Sequence, residues 1–265
     1  MTRTSIFMTV PLFCALLACK GGSARKTDPA GTETTDPKTK SAERAAGAAV
    51  PASSTAKGGT LALTVIEGRA EVEDTGFLHI VGLIRNDTPK WIDSAKVHVL
   101  LFDAEGKPIS VDSIAAAEGF GESALGMRHN VPPGEVTPFH YIRDVKKLAR
   151  PYASHKLEPK AFASDGSYQA SAADVKTDKE TIGKTEYWRI TGNVKNTGKP
   201  CTNPQAVIAL FDQSGKIVDT RSGTTEWEVK NQWPSGGSLA FKTGPIDTKG
   251  VIASSKIWGD CHEPW

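Results

Sequence analysis

Val97-His98-Val99-Leu100-Leu101-Phe102-Asp103 has a counterpart 109 residues further on, Val207-Ile208-Ala209-Leu210-Phe211-Asp212. Each run is nearly all apolar and is closed by Asp-x-x-Gly, in Asp103–Gly106 and Asp212–Gly215. A short apolar run rich in β-branched and aromatic residues that ends on such a signal reads as a buried strand entering a turn. Gly supplies the positive φ there and Asp caps the turn. Upstream, Gly82-Leu83-Ile84-Arg85-Asn86 is matched by Gly192-Asn193-Val194-Lys195-Asn196 at an offset of 110 residues. Downstream, Gly106-Lys107-Pro108-Ile109 is matched by Gly215-Lys216-Ile217-Val218, and Pro133-Gly134…Phe139 by Pro234-Ser235-Gly236…Phe241. His155-Lys156-Leu157 then parallels Ser255-Lys256-Ile257. Features recurring in one order indicate an internal duplication. A period near 110 residues exceeds the roughly 20–50 of a solenoid unit and suits one sandwich domain.

The flanking patterns are also of the β type. Phe77–Arg85 and Glu186–Lys195 are rich in aromatic and β-branched residues and end at Asn-Asp and Asn-Thr-Gly turn signals. Helical periods are few, and Ile114–Leu125 reads as a short helix or as a strand with a loop. The expected fold class is therefore all-β, with two tandem antiparallel β-sandwich domains of roughly seven strands each. Their expected bounds are 59–160 and 161–265.

The N-terminus reads as an address. Arg3 precedes the apolar run Ile6–Ala18, a positive region followed by a short hydrophobic one. Thirteen residues reach about 20 Å as a helix, short of a roughly 30 Å hydrocarbon core, and Pro11 interrupts them. The segment ends in Leu16-Leu17-Ala18-Cys19 and looks like a bacterial lipobox. That resemblance implies a signal peptide over 1–18 and diacylglycerol on Cys19, a partnership with the lipid bilayer. Lys20 after the Cys points to the outer membrane. Residues 20–57 hold no aromatic residue and one large aliphatic, Val50, too little to offset ordering entropy. A flexible tether over 19–58 is expected. The chain of 265 residues carries a net charge of +2, which argues against a strongly basic nucleic-acid binder.

The pattern G-x-hydrophobic-x-N, a strand ending aromatic-Asp-x-x-Gly, then Pro-Gly…Phe resembles the FxLYD domain. This is a small β-sandwich of bacterial and archaeal envelope proteins, often lipoproteins. Both repeats depart from the name: an aliphatic residue replaces the first Phe, and Phe102 and Phe211 stand in place of Tyr. The resemblance covers about 200 residues and implies an envelope adhesion, scaffold or ligand-binding module without catalytic residues.

If Cys14 leaves with the signal and Cys19 is acylated, Cys201 and Cys261 remain, an even pair that predicts a disulfide in an oxidising compartment. The alternative is a metal held by Cys201, Cys261 and His262, but these lack paired ligand spacing, so no metal and no cofactor are expected. The six histidines show no HExxH spacing, and His79 and His98 are expected on exposed strand faces. Gly121-Glu122-Ser123-Ala124-Leu125-Gly126 imitates a nucleophile elbow but lacks the strand-to-helix context. No Walker loop or GxGxxG occurs. Of six Trp, Trp188 reads as core, whereas Trp227 and Trp233 flank a loop or strand end and are candidate anchors for a sugar or protein partner.

These readings converge on a membrane-anchored envelope lipoprotein. It acts as a non-enzymatic binding or scaffold module, with an envelope protein or glycan as partner and no nucleic acid. The rivals are an assembly factor of an outer-membrane complex and a periplasmic hydrolase using Ser123 or a metal at His262.

Overall fold

The computed structural model describes residues 61–109, 122–226, 232–247 and 252–264. The expected signal, tether, Cys19 and Trp227 lie outside these residues, as does most of Ile114–Leu125. The first repeat comprises β1 (Leu63–Val72), β2 (Phe77–Asn86), β3 (Trp91–Phe102), β4 (Ser123–Leu125), β5 (Val136–Asp144) and β6 (Ser154–Ser164). They form two sheets, β1-β2-β5 and β4-β3-β6. The second comprises β7 (Ala170–Ile182), β8 (Thr185–Asn196), β9 (Thr202–Phe211), β10 (Ile217–Thr225), β11 (Ser238–Lys242), β12 (Ile246–Asp247) and β13 (Ser254–His262). Here one sheet runs β12-β8-β11-β10-β9-β13, with β7 on β8. The protein is all-β and every strand pair is antiparallel.

The repeated motif has a repeated physical job. A Cβ on Gly82 would lie 2.7 Å from the Phe139 ring, and one on Gly192 would lie 2.8 Å from the Phe241 ring. The missing side chain lets each buried Phe lie flat on its strand. Four residues on, buried Asn86 donates to the Lys90 and Val131 carbonyls at 2.8 and 3.0 Å. Asn196 does the same to Lys199 and Trp233, both at 3.0 Å. Each Asn thereby pins its loop, sharing the Val131 and Trp233 carbonyls with the Ile92 and Cys201 N–H groups that also donate to them. The acidic turns repeat as well: Lys107 N–H donates to Asp103 at 2.7 Å, and Lys216 N–H to Asp212 at 3.0 Å.

One apolar cluster fills the first repeat, around Leu78, Ile80, Ile84, Val97, Leu101, Phe139 and Leu157. A second fills the other, around Ile190, Val194, Ile208, Leu210, Trp233 and Phe241. A third forms a seam between them, where Val81 of β2 packs with Val207, Ala209, Ile217 and Trp258. The described residues cluster as one compact unit. Strand β6 runs on to Ser164, through the expected boundary at 160–161.

Candidate functional site

The seam ends in a cleft of about 450 Å³. The first repeat supplies Trp91 and the Arg128–Glu135 segment between β4 and β5. The second supplies Tyr168–Ala172 and the Lys256–Asp260 stretch of β13. Trp258 is its pivot. Arg128 and Lys256 each place their cation 5.0 Å from the Trp258 ring centroid. Its indole N–H donates to Glu135 at 3.4 Å, and Glu135 also faces Arg128 and Lys256, each at 3.6 Å. Burial opposes charge on Glu135, but Lys256, the indole and Arg128 outweigh it and hold its pKa below the usual value.

Deeper lies a cluster drawn from both repeats. Asp260, on β13, is 2% exposed. One carboxylate oxygen accepts the His129 backbone N–H at 2.7 Å, and the other lies 3.1 Å from His129 Nδ1 and accepts from Gln205 at 3.2 Å. His262 Nε2 sits 3.9 Å from the latter oxygen. The two imidazole centroids are 3.7 Å apart. A Cβ on Gly259 would fall 2.6 Å from the Ser171 backbone, so a residue without a side chain lets β13 press onto β7 immediately before Asp260. Burial disfavours a charged His129, yet the hydrogen bond and charge of Asp260, with Asp93, raise its pKa. Burial and the neighbouring His129 lower that of His262.

A second histidine pair lies in the same fold. His79 Nδ1 and His140 Nε2 are 2.9 Å apart. Burial, then His79, Arg221 and Arg69, push His140 down to about 4 against the pull of Asp219. His79 is therefore half-buried in a polar pair, and His98 is 8% exposed, not on an open strand face.

Cys201 and Cys261 pair with each other, their Cα atoms 6.0 Å apart, which removes both thiolates from any metal set with His262. Trp233 corrects the anchor reading: at 1% exposure it is the largest fully buried side chain among the described residues. Its backbone pairs with that of Cys201, as Val131 pairs with Ile92, so Trp233 occupies the place of a core valine. The same pairing makes Ile92 the counterpart of Cys201. Trp188, expected in the core, lies on β8 half-buried against the second core rather than within it. Ser123 opens the short strand β4 beside β3, so no strand-to-helix elbow presents it.

His129 and His262 stand 133 positions apart and share no motif, so sequence spacing gave no hint of their meeting. Comparison with protein families, curated proteins and solved structures finds no match.

Proposed function

We propose that this protein is a lipid-anchored binding or scaffold module of the bacterial cell envelope. It is non-enzymatic, held at the outer membrane through acylated Cys19 and a flexible tether, and it engages its partner at the seam cleft. The observation that carries the reading is the cleft itself. Its volume of about 450 Å³ falls within the roughly 300–1,000 Å³ usual for ligand sites. Half-buried Trp91 and Tyr168 offer apolar faces, while Arg128, Glu135 and Lys256 offer charges of both signs. That combination suits a polar partner with flat apolar faces, a glycan or an envelope polypeptide. With Trp233 in the core, the aromatic anchors of this proposal are Trp91 and Tyr168. The FxLYD-like repeats and the lipobox supply the envelope context.

The test crosslinks wild-type protein, a Cys19→Ala form and a Trp91→Ala/Tyr168→Ala form in gently solubilised envelopes. Co-purified proteins and glycans are then identified. The expected result is a defined partner with wild type that is lost in the cleft variant, with Cys19→Ala released from the membrane fraction. A partner retained by the cleft variant would overturn the cleft, and membrane retention of Cys19→Ala would overturn the anchor. A stoichiometric partner that belongs to a multiprotein complex would favour the assembly role.

A further inference from the structure

We propose that His129, Asp260 and His262 bind a divalent transition-metal ion that clasps the two repeats together. The donor atoms of these three side chains all lie within 4.8 Å of one another. In a tetrahedral zinc site, bonds of about 2.0–2.1 Å put neighbouring donors roughly 3.3 Å apart. His129 Nδ1 and Asp260 already stand 3.1 Å apart. His262 Nε2 stands 3.9 Å from the same oxygen, and with donors up to 4.8 Å apart the cluster would draw in by about 1.5 Å around an ion.

Two further observations point the same way. His262 Nε2 is buried and has no hydrogen-bond partner, an unfavourable state for a ring nitrogen that a metal ion would relieve. The carboxylate is also held from outside, by the His129 backbone N–H at 2.7 Å and Gln205 at 3.2 Å, as metal-binding carboxylates commonly are. Of the charged groups around the cluster, Asp93 acts on both rings and Arg128 acts on Asp260. Two carboxylates against one guanidinium leave negative charge to receive a dication. With the cysteines bridged, the donors are two imidazoles and one carboxylate. That set suits zinc, nickel or copper better than calcium or magnesium. His129 and Asp260 also line the cleft, so a fourth coordination position would open towards it. The site goes beyond the envelope reading and does not depend on the membrane anchor or on any partner.

The experiment uses the full-length chain in detergent, stripped with EDTA and dialysed. Zinc is titrated by calorimetry into wild type, His129→Gln, His262→Gln and His79→Gln, with folding checked by circular dichroism. The expected result is one zinc per chain, weakened at least tenfold in each of the first two variants and unchanged in His79→Gln. Cobalt(II) bound to wild type should show the intense visible bands of a low-coordinate nitrogen–oxygen site, with no thiolate charge-transfer band. That spectrum decides the matter should the variants fail to fold. The proposal is overturned by heat no greater than the buffer blank. It is equally overturned by binding that survives in both His129→Gln and His262→Gln, by loss only in His79→Gln, or by a cobalt spectrum with thiolate character.

Discussion

Removing the Cys201–Cys261 bridge, by Cys201→Ala/Cys261→Ala, should lower stability through the unfolded chain. The bridge closes a loop of 60 residues. The chain-entropy relation assigns about 4.3 kcal/mol at 25 °C to a loop of that length. Both cysteines are buried, at 0% and 1% exposure, so truncating the sulfur atoms adds roughly 1 kcal/mol of lost packing. For a unit of this size each kcal/mol moves Tm by roughly 2–4 °C, so a drop of about 10–20 °C is expected. The assay is differential scanning calorimetry of wild type and the double variant. Wild type unfolded in denaturant with and without reductant separates the entropic part from the packing part. The bridge lies wholly within the second repeat, yet the seam of Val81, Val207, Ala209, Ile217 and Trp258 couples that repeat to the first. A single transition that moves as a whole is therefore expected. A fall in Tm below about 3 °C would refute the unfolded-state argument. A transition that splits, with one component unmoved, would refute coupling through the seam.

Acid should destabilise the fold in a defined window. His140 is held at about 4 against an ordinary 6.5, so the unfolded chain takes up the proton first. Stability is then lost as pH falls from about 6.5 towards 4. The shift sets a ceiling of about 3.4 kcal/mol, reduced to roughly 2 for the ring's partial exposure. His262 has the same sign, while raised His129 has the opposite one, its contribution being lost as pH climbs through its folded pKa. Urea unfolding of wild type and His140→Gln at pH 7 and pH 5 measures this, and equal pH slopes in the two would refute it. Asn86→Ala and Asn196→Ala should each cost about 1–3 kcal/mol by removing two side-chain hydrogen bonds that pin a loop, as read by denaturant midpoints. Gly82→Ala should cost at least about 2 kcal/mol, because its Cβ would lie 2.7 Å from the Phe139 ring; Phe139→Leu in the same chain should recover part of that loss. Trp233→Ala should cost about 3–5 kcal/mol, seen as a lowered Tm, and leave partner capture by the folded fraction intact.

The strands were legible because their apolar period and their punctuation agree. Phe77–Arg85 and Glu186–Lys195 fall within β2 and β8, and the two quoted runs, up to Phe102 and Phe211, within β3 and β9. Duplication made the signal stronger, since each Gly…Asn pair reports a Phe laid on a glycine and an Asn threaded into a loop. The misread residues share one cause. Trp233 precedes Pro234 just as Val131 precedes Pro132, and a large aromatic beside a Pro-Ser-Gly-Gly turn suggested a surface loop. Its burial is decided by a backbone bridge to Cys201, a contact across 32 residues. His79 and His98 were judged by alternation within a single sheet. His79 is instead closed in by His140, and His98 sits beside Lys96, Glu158 and Lys160. Local alternation cannot register neighbours supplied by other strands.

The candidate site was illegible for a deeper version of the same reason. Everything of interest in it lies where the repeats meet, and an internal duplication advertises what its copies share. His129 has no histidine at its counterpart in the second repeat, and the strand pairing sets Lys160, Ala161 and Phe162 of the first repeat at the places of Asp260, Cys261 and His262, so it lacks both the bridge and the donors. These differences lie on β13 and on the segment before β5, both of which line the cleft. The same β13 tripeptide carries the disulfide partner and two of the three clustered donors. Cys261 therefore fixes the strand end on which Asp260 and His262 are displayed. Loss of the bridge should weaken zinc binding by several-fold as well as lower Tm, because each donor would then have to be ordered at the moment of binding. Calorimetric titration of Cys201→Ala/Cys261→Ala, folded at low temperature, measures that link. Unaltered zinc affinity would separate the bridge from the cluster and leave it with the stability of the second repeat alone.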